Sequence, residues 1–129
     1  MEILIKRSNS DSKLPAYNRE AGSGIDLFVG EEITIKPNER AMVSTGVSLA
    51  LPVGYTGTIL NQANSIVKSN FRLTSMVIDS GYRDEIVLEV FNLDTEPKTF
   101  TIGEKIAEMS VQQIERSRLI EVEDLDGTN

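Results

Sequence analysis

Apolar and polar residues alternate with a period of two along most of this chain, in short runs separated by glycine, proline, asparagine and aspartate. Residues 2–7, 25–29 and 32–36 each alternate and read as strands. Residues 8–13 are a polar loop, residues 14–17 an extended segment around Pro15, and residues 21–24 a flexible turn. Pro37-Asn38 turns the chain into residues 41–51, strand-like but carrying Gly46, where a bulge or bend is expected. Residues 52–55 turn again before a short strand at 56–60. The alternation fails over residues 61–70, where Asn64 or Ser65 is placed to cap one short helix running to Lys68. Residues 71–78 return to extended structure and enter a tight turn at Ser80-Gly81, from which residues 86–93 leave as the second arm of a hairpin. Further strands are predicted at 98–102, 105–114 and 119–122, with turns at 94–97 and 103–104 and a polar tail from 123 to 129.

Many short strands with one helix at most predict an all-β domain: a sandwich, jelly roll or barrel. With 129 residues and no linker or repeat, the chain reads as a single domain over residues 1–129. Composition narrows the chemistry. Without cysteine there is no disulfide and no thiolate metal site. Without histidine there is no Ser-His-Asp triad, no imidazole-ligated zinc and no imidazole acid–base catalysis. Catalysis must then use carboxylates, hydroxyls, Lys, Arg, Tyr or a metal. The net charge of −7 opposes broad binding to nucleic acid or an anionic membrane. No apolar run reaches bilayer-spanning length and the N-terminus does not open a signal peptide, so a soluble, cytoplasmic protein is expected.

The predicted turn after residue 78 gathers chemical groups. It places the Asp79 carboxylate beside the Tyr82 ring, with backbone donors and acceptors on either side. Those are the parts needed to hold a planar heterocycle and activate a water next to it.

Val77-Ile78-Asp79-Ser80-Gly81-Tyr82-Arg83-Asp84-Glu85 resembles the third and most specific of five motifs of the trimeric dUTPase (deoxyuridine triphosphate diphosphatase) family. Leu14-Pro15 with Ala21-Gly22-Ser23-Gly24-Ile25-Asp26-Leu27 resembles the first motif. Pro37-Asn38-Glu39-Arg40, Thr45-Gly46-Val47 and Leu51-Pro52-Val53-Gly54-Tyr55 resemble the family's scaffold segments, and Gly103-Glu104-Lys105-Ile106-Ala107-Glu108 resembles the fourth motif. The likeness runs from Met1 to about Asp126 in the family's order.

The resemblance implies a jelly-roll-like homotrimer with each active site shared between subunits, and hydrolysis of dUTP to dUMP and pyrophosphate. Asp79 is then the carboxylate that deprotonates water, and Tyr82 walls the deoxyribose where a 2′-hydroxyl would sit. The backbone of the hairpin around Leu73 to Val77, Met76 included, reads the uracil edge. Asp26 holds the water shell of a Mg2+ ion on the triphosphate.

The departures fall on the phosphate grip. A gapless alignment back from Asp79 puts Gln62, Ala63 and Asn64 where the second motif has an arginine and two small residues. Backbone N–H groups at the start of the 64–68 helix, with Asn64, Ser65 and Lys68, are the compensating phosphate contacts. Glu108 stands where the fourth motif ends in glutamine, and the fifth motif, a Gly-rich C-terminal arm, has no counterpart. Two readings follow: a dUTP diphosphatase, or an impaired trimer that binds a nucleotide or an unidentified protein partner. A deaminase of cytosine nucleotides is a third, less favoured by the Tyr82 arrangement.

Overall fold

A computed structural model describes residues 1–17, 24–59 and 70–126 of the chain. The described residues form twelve strands and no helix. In order they are β1 (Leu4–Arg7), β2 (Ala16–Tyr17), β3 (Ile25–Phe28), β4 (Ile33–Ile35), β5 (Arg40–Ser44) and β6 (Val47–Ala50). Then come β7 (Tyr55–Ile59), β8 (Phe71–Leu73), β9 (Met76–Ile78), β10 (Val87–Asn92), β11 (Lys98–Phe100) and β12 (Lys105–Gln113). The expected helix at 64–68, with Gln62, Ala63, Asn64 and Lys68, lies outside the described residues, as do most of the predicted 21–24 turn and the last three residues of the tail.

All the strand pairs are antiparallel. The largest sheet runs β2-β3-β12-β7-β9, and a second runs β5-β10-β8; β1 pairs with β6 and β11 with β4. Alternation along each strand sends one face inward: in β10, Leu88, Val90 and Asn92 are buried while Val87, Glu89 and Phe91 are half-exposed. Leu27, Ile35, Ile59, Leu73, Ile78, Ile86 and Met109 meet in one core, where the Phe71 and Phe100 rings pack edge-on at 4.9 Å.

Several expected elements differ. Residues 41–51 are two strands in different sheets, because the chain turns at Gly46. Gly46 has φ of 71°, and a Cβ there would collide with the Ser12 hydroxyl, so glycine is required on both counts. Residues 71–78 likewise split: β8 pairs with β10 and β9 with β7, so Thr74 and Ser75 are a crossover between sheets and residues 73–77 are not the hairpin expected there. For the same reason Ser80-Gly81 does not join the arms of a hairpin; β9 and β10 are never neighbours. Residues 119–122 form no strand: Leu119 is 93 % exposed and no described strand pairs with the segment. Alternation makes a strand only where an edge is present to receive its hydrogen bonds. No helix among the described residues is long and apolar enough to cross a membrane.

One buried polar residue ties the outer strands together. The Asn92 amide donates to the carbonyls of Ile35 (2.9 Å) and Glu96 (3.0 Å), and its oxygen accepts the Asp94 N–H (2.9 Å). Asn92→Ala strands these partners without water, so a loss of about 3 kcal/mol is expected. Thermal unfolding should show Tm lowered by roughly 10 °C; a Tm within two or three degrees of the parent would mean that water replaces the amide.

Candidate active site

The chain leaves edge strand β9 in a β-turn over residues 79–82, closed by the Tyr82 N–H on the Asp79 carbonyl at 3.0 Å. The Thr56 hydroxyl donates to the carbonyl of Ile78 (3.2 Å), and the Arg83 guanidinium donates to those of Ser80 (2.6 Å) and Tyr82 (3.0 Å). Arg83 therefore fastens the turn to itself. Asp79 is exposed, and no hydrogen bond or ion pair from a described residue reaches its carboxylate. Tyr82 is half-buried with its ring against the core, and its hydroxyl donates to the Glu85 carbonyl at 3.3 Å. The Tyr82 ring is packed on the core and the carboxylate beside it is open to solvent.

A brace behind the turn was not visible in the sequence. The Glu85 carboxylate accepts from the Ser8 hydroxyl at 3.0 Å and from the Ser44 hydroxyl, while Thr45 Oγ1 donates to the Ile86 carbonyl at 2.6 Å. Ser8 and Ser44 lie 77 and 41 residues from Glu85, so no local pattern announces them. The Glu85 that follows the motif tyrosine was the one available signal.

The residues expected to read a base lie at the adjoining crossover. Leu73 is buried and its side chain belongs to the core, so only its backbone can meet a ligand. Met76 is half-buried and Val77 is 61 % exposed. Among the described residues β8 and β9 are each the outermost strand of a sheet. Thr74, Ser75, Met76 and Glu89 help line a cleft of about 250 Å3 there.

Asp26 stands elsewhere. On β3 it faces Glu108 of β12 directly, and two carboxylates so placed repel unless a cation joins them. Lys105 Nζ does so, 2.7 Å from Glu108 Oε1 and 3.2 Å from Asp26 Oδ1. Residues three apart on a regular strand point to opposite faces; here a bulge between Lys105 and Ala107 buries both Ile106 and Ala107 and brings Lys105 onto the face of Glu108. Gly24 leaves the room: a Cβ there would lie 2.9 Å from Glu108 Oε2. The Asp26, Glu108 and Lys105 side chains are only 15 %, 16 % and 23 % exposed. Partial burial pulls the Lys105 pKa down, but hydrogen bonds to Glu108 and Asp26 and their charges outweigh it and leave it raised. The clamp's stabilisation is thus complete below the ordinary lysine value and is lost as pH rises through the higher folded one.

Asp26 and Asp79 are far apart within a protomer. Asp79 follows Ile78, the partner of Gly57, and so sits level with Thr56, whose partner on β12 is Gln112; Asp26 is paired instead with Glu108. Three strand spacings across and four residues along separate them by roughly 20 Å. Gln62, Ala63 and Asn64 are outside the described residues.

Comparison with known proteins follows the same lines. The dUTPase family model matches residues 10–129. The deoxyuridine 5′-triphosphate nucleotidohydrolase of Clostridium kluyveri is 37 % identical over 130 residues, covering 99 % of this chain and 91 % of that protein. The enzyme of the same name from Streptomyces coelicolor is 39 % identical over 131 residues, covering 99 % and 72 %. Among solved structures, the dUTPase of Staphylococcus bacteriophage 80alpha superimposes with a TM-score of 0.83 at 20 % identity, over 96 % of this chain and 97 % of that one. The dUTPase from phage phi11 of S. aureus gives 0.81 at 19 %, over 98 % and 99 %. The all-β, jelly-roll-like fold expected from the motifs is the fold found, and the chain belongs to the dUTPase family.

Proposed function

We propose that this chain hydrolyses dUTP to dUMP and pyrophosphate, a reading supported by relatives named deoxyuridine 5′-triphosphate nucleotidohydrolases. The observation that carries the reading is the Asp79 carboxylate, exposed and engaged by no described residue, on the same four-residue turn as the half-buried Tyr82 ring. Asp79 accepts a proton from water as the water oxygen bonds to the α-phosphorus; the bond from that phosphorus to the bridging oxygen breaks, and pyrophosphate leaves. Tyr82 walls the deoxyribose, and the backbone at Leu73, Met76 and Val77 reads the base.

A roughly 20 Å gap between Asp26 and Asp79 is too wide for both to serve one triphosphate in a single protomer, which supports a homotrimer with shared sites. Asp26 fits a magnesium ion held through the ion's water shell and substrate oxygens, since it is a hard oxygen donor whose charge Lys105 Nζ meets on one side only, at 3.2 Å from Oδ1. Such an ion neutralises charge on the phosphates. A dUTPase of phage phi11 is described as coordinating a structural Mg(II) ion.

The test is pyrophosphate release from dUTP with magnesium by the full chain. A folded protein with no turnover would favour the binding-module reading instead. Glu108→Gln gives a finer check. It removes one negative charge facing the phosphates and frees Lys105 from half its clamp, so KM for dUTP should fall about three- to tenfold. An unchanged KM would place Glu108 away from the triphosphate.

A further inference from the structure

The crossover joining β8 to β9 is two residues long, Thr74 and Ser75, and a side chain of β10 grips it. Thr74 donates its N–H to the Glu89 carbonyl (3.0 Å) and its hydroxyl to Glu89 Oε1 (2.7 Å). The other oxygen, Glu89 Oε2, lies 3.3 Å from an Arg40 guanidinium nitrogen on β5. Glu89 is free to do this because Leu88 and Val90 on either side fill the core and turn it outward. The carboxylate thus adds a side-chain hold to the main-chain bond at the first residue of the crossover, beside the 250 Å3 cleft.

We infer that Glu89 is a positioning residue for base selection: it holds the crossover backbone at Thr74 and Ser75, between paired Leu73 and Met76, so that a uracil ring is accepted and a cytosine ring rejected. The inference deepens the proposed function and rests on the crossover facing the base. The reason is hydrogen-bond polarity. Uracil presents an N3–H donor beside an O4 acceptor, whereas cytosine presents an N3 acceptor beside an N4 donor. A two-residue crossover that can rotate its peptides between the paired Leu73 and Met76 can turn a carbonyl or an N–H toward either; one pinned at Thr74 as well can match only one. Rejection then comes from polar groups left unpaired against the wrong base.

The test uses non-hydrolysable α,β-imido-dUTP and α,β-imido-dCTP, with their Kd values measured by calorimetry, so it does not depend on turnover. Glu89→Ala and Thr74→Val should each lower the preference for the uracil analogue at least about tenfold. Backbone amides at 75 and 76 should exchange with solvent at least about tenfold faster, while those of Leu88 and Val90 keep their rates. Glu89→Gln keeps an acceptor for Thr74 and loses only an exposed ion pair, so it should retain the preference within about threefold. Unchanged exchange at 75 and 76 in both disruptive variants overturns the clamp. Faster exchange with an unaltered preference overturns the role in base selection and leaves the hydrolase reading standing. A parent protein that binds the uracil analogue but hydrolyses no dUTP rejects that reading alone, and the preference measured by binding still decides the role of Glu89. A parent that binds neither analogue overturns both.

Discussion

Asp79→Asn lowers kcat for dUTP by about 10^3-fold, within the range lost when a positioned general base is removed. The change is isosteric, and the carboxylate engages no described residue, so fold and assembly should be unaffected. The turn is closed by the Asp79 carbonyl, not by its side chain. KM should therefore move little, since the carboxylate acts on water and not on substrate. Steady-state pyrophosphate release at saturating dUTP makes the comparison. A variant retaining a third of the parental kcat would assign the proton to another group and remove Asp79 from the mechanism.

Mixing two disabled proteins should restore activity. Asp26→Asn alone is expected to cost about 10- to 100-fold, as for a group that acts through a metal's water shell. If each site takes Asp79 from one subunit and Asp26 from another, random trimers of the two variants carry both carboxylates at about a quarter of their sites. Co-expressed or co-refolded protein should then show about a quarter of parental activity, well above the sum of the two variants. If activity stays at that sum, both carboxylates belong to one protomer's site, and the roughly 20 Å separation would have to be closed by rearrangement.

The strands were legible because each is half-buried, and burial of one face imposes a period of two on the residues themselves. β4, β7 and β10 show this plainly, each lying within a residue or so of where the alternation puts it. The chemistry of the 79–82 turn was legible as well, because its carboxylate, ring and turn residues are consecutive. What misled was continuity. Residues 71–78 read as one extended run, yet the two-residue crossover sends β8 and β9 to different sheets. Residues 119–122 have the apolar content of a strand without a neighbour to hydrogen-bond.

The same distinction divides the whole protein. Local sequence by itself determined that the chain is all-β, that no histidine or cysteine chemistry operates, and that Asp79 and Tyr82 share a turn; each follows from residue type or near neighbours. Only the tertiary structure decided that Lys105 joins Asp26 to Glu108, that Glu89 grips the crossover, that Glu85 is braced by Ser8 and Ser44, and that β3, which carries Asp26, is three strands from β9, which leads into Asp79. Those facts depend on strand pairing and on one bulge. Pairing is set by contacts between residues distant along the chain, which a period of two does not encode.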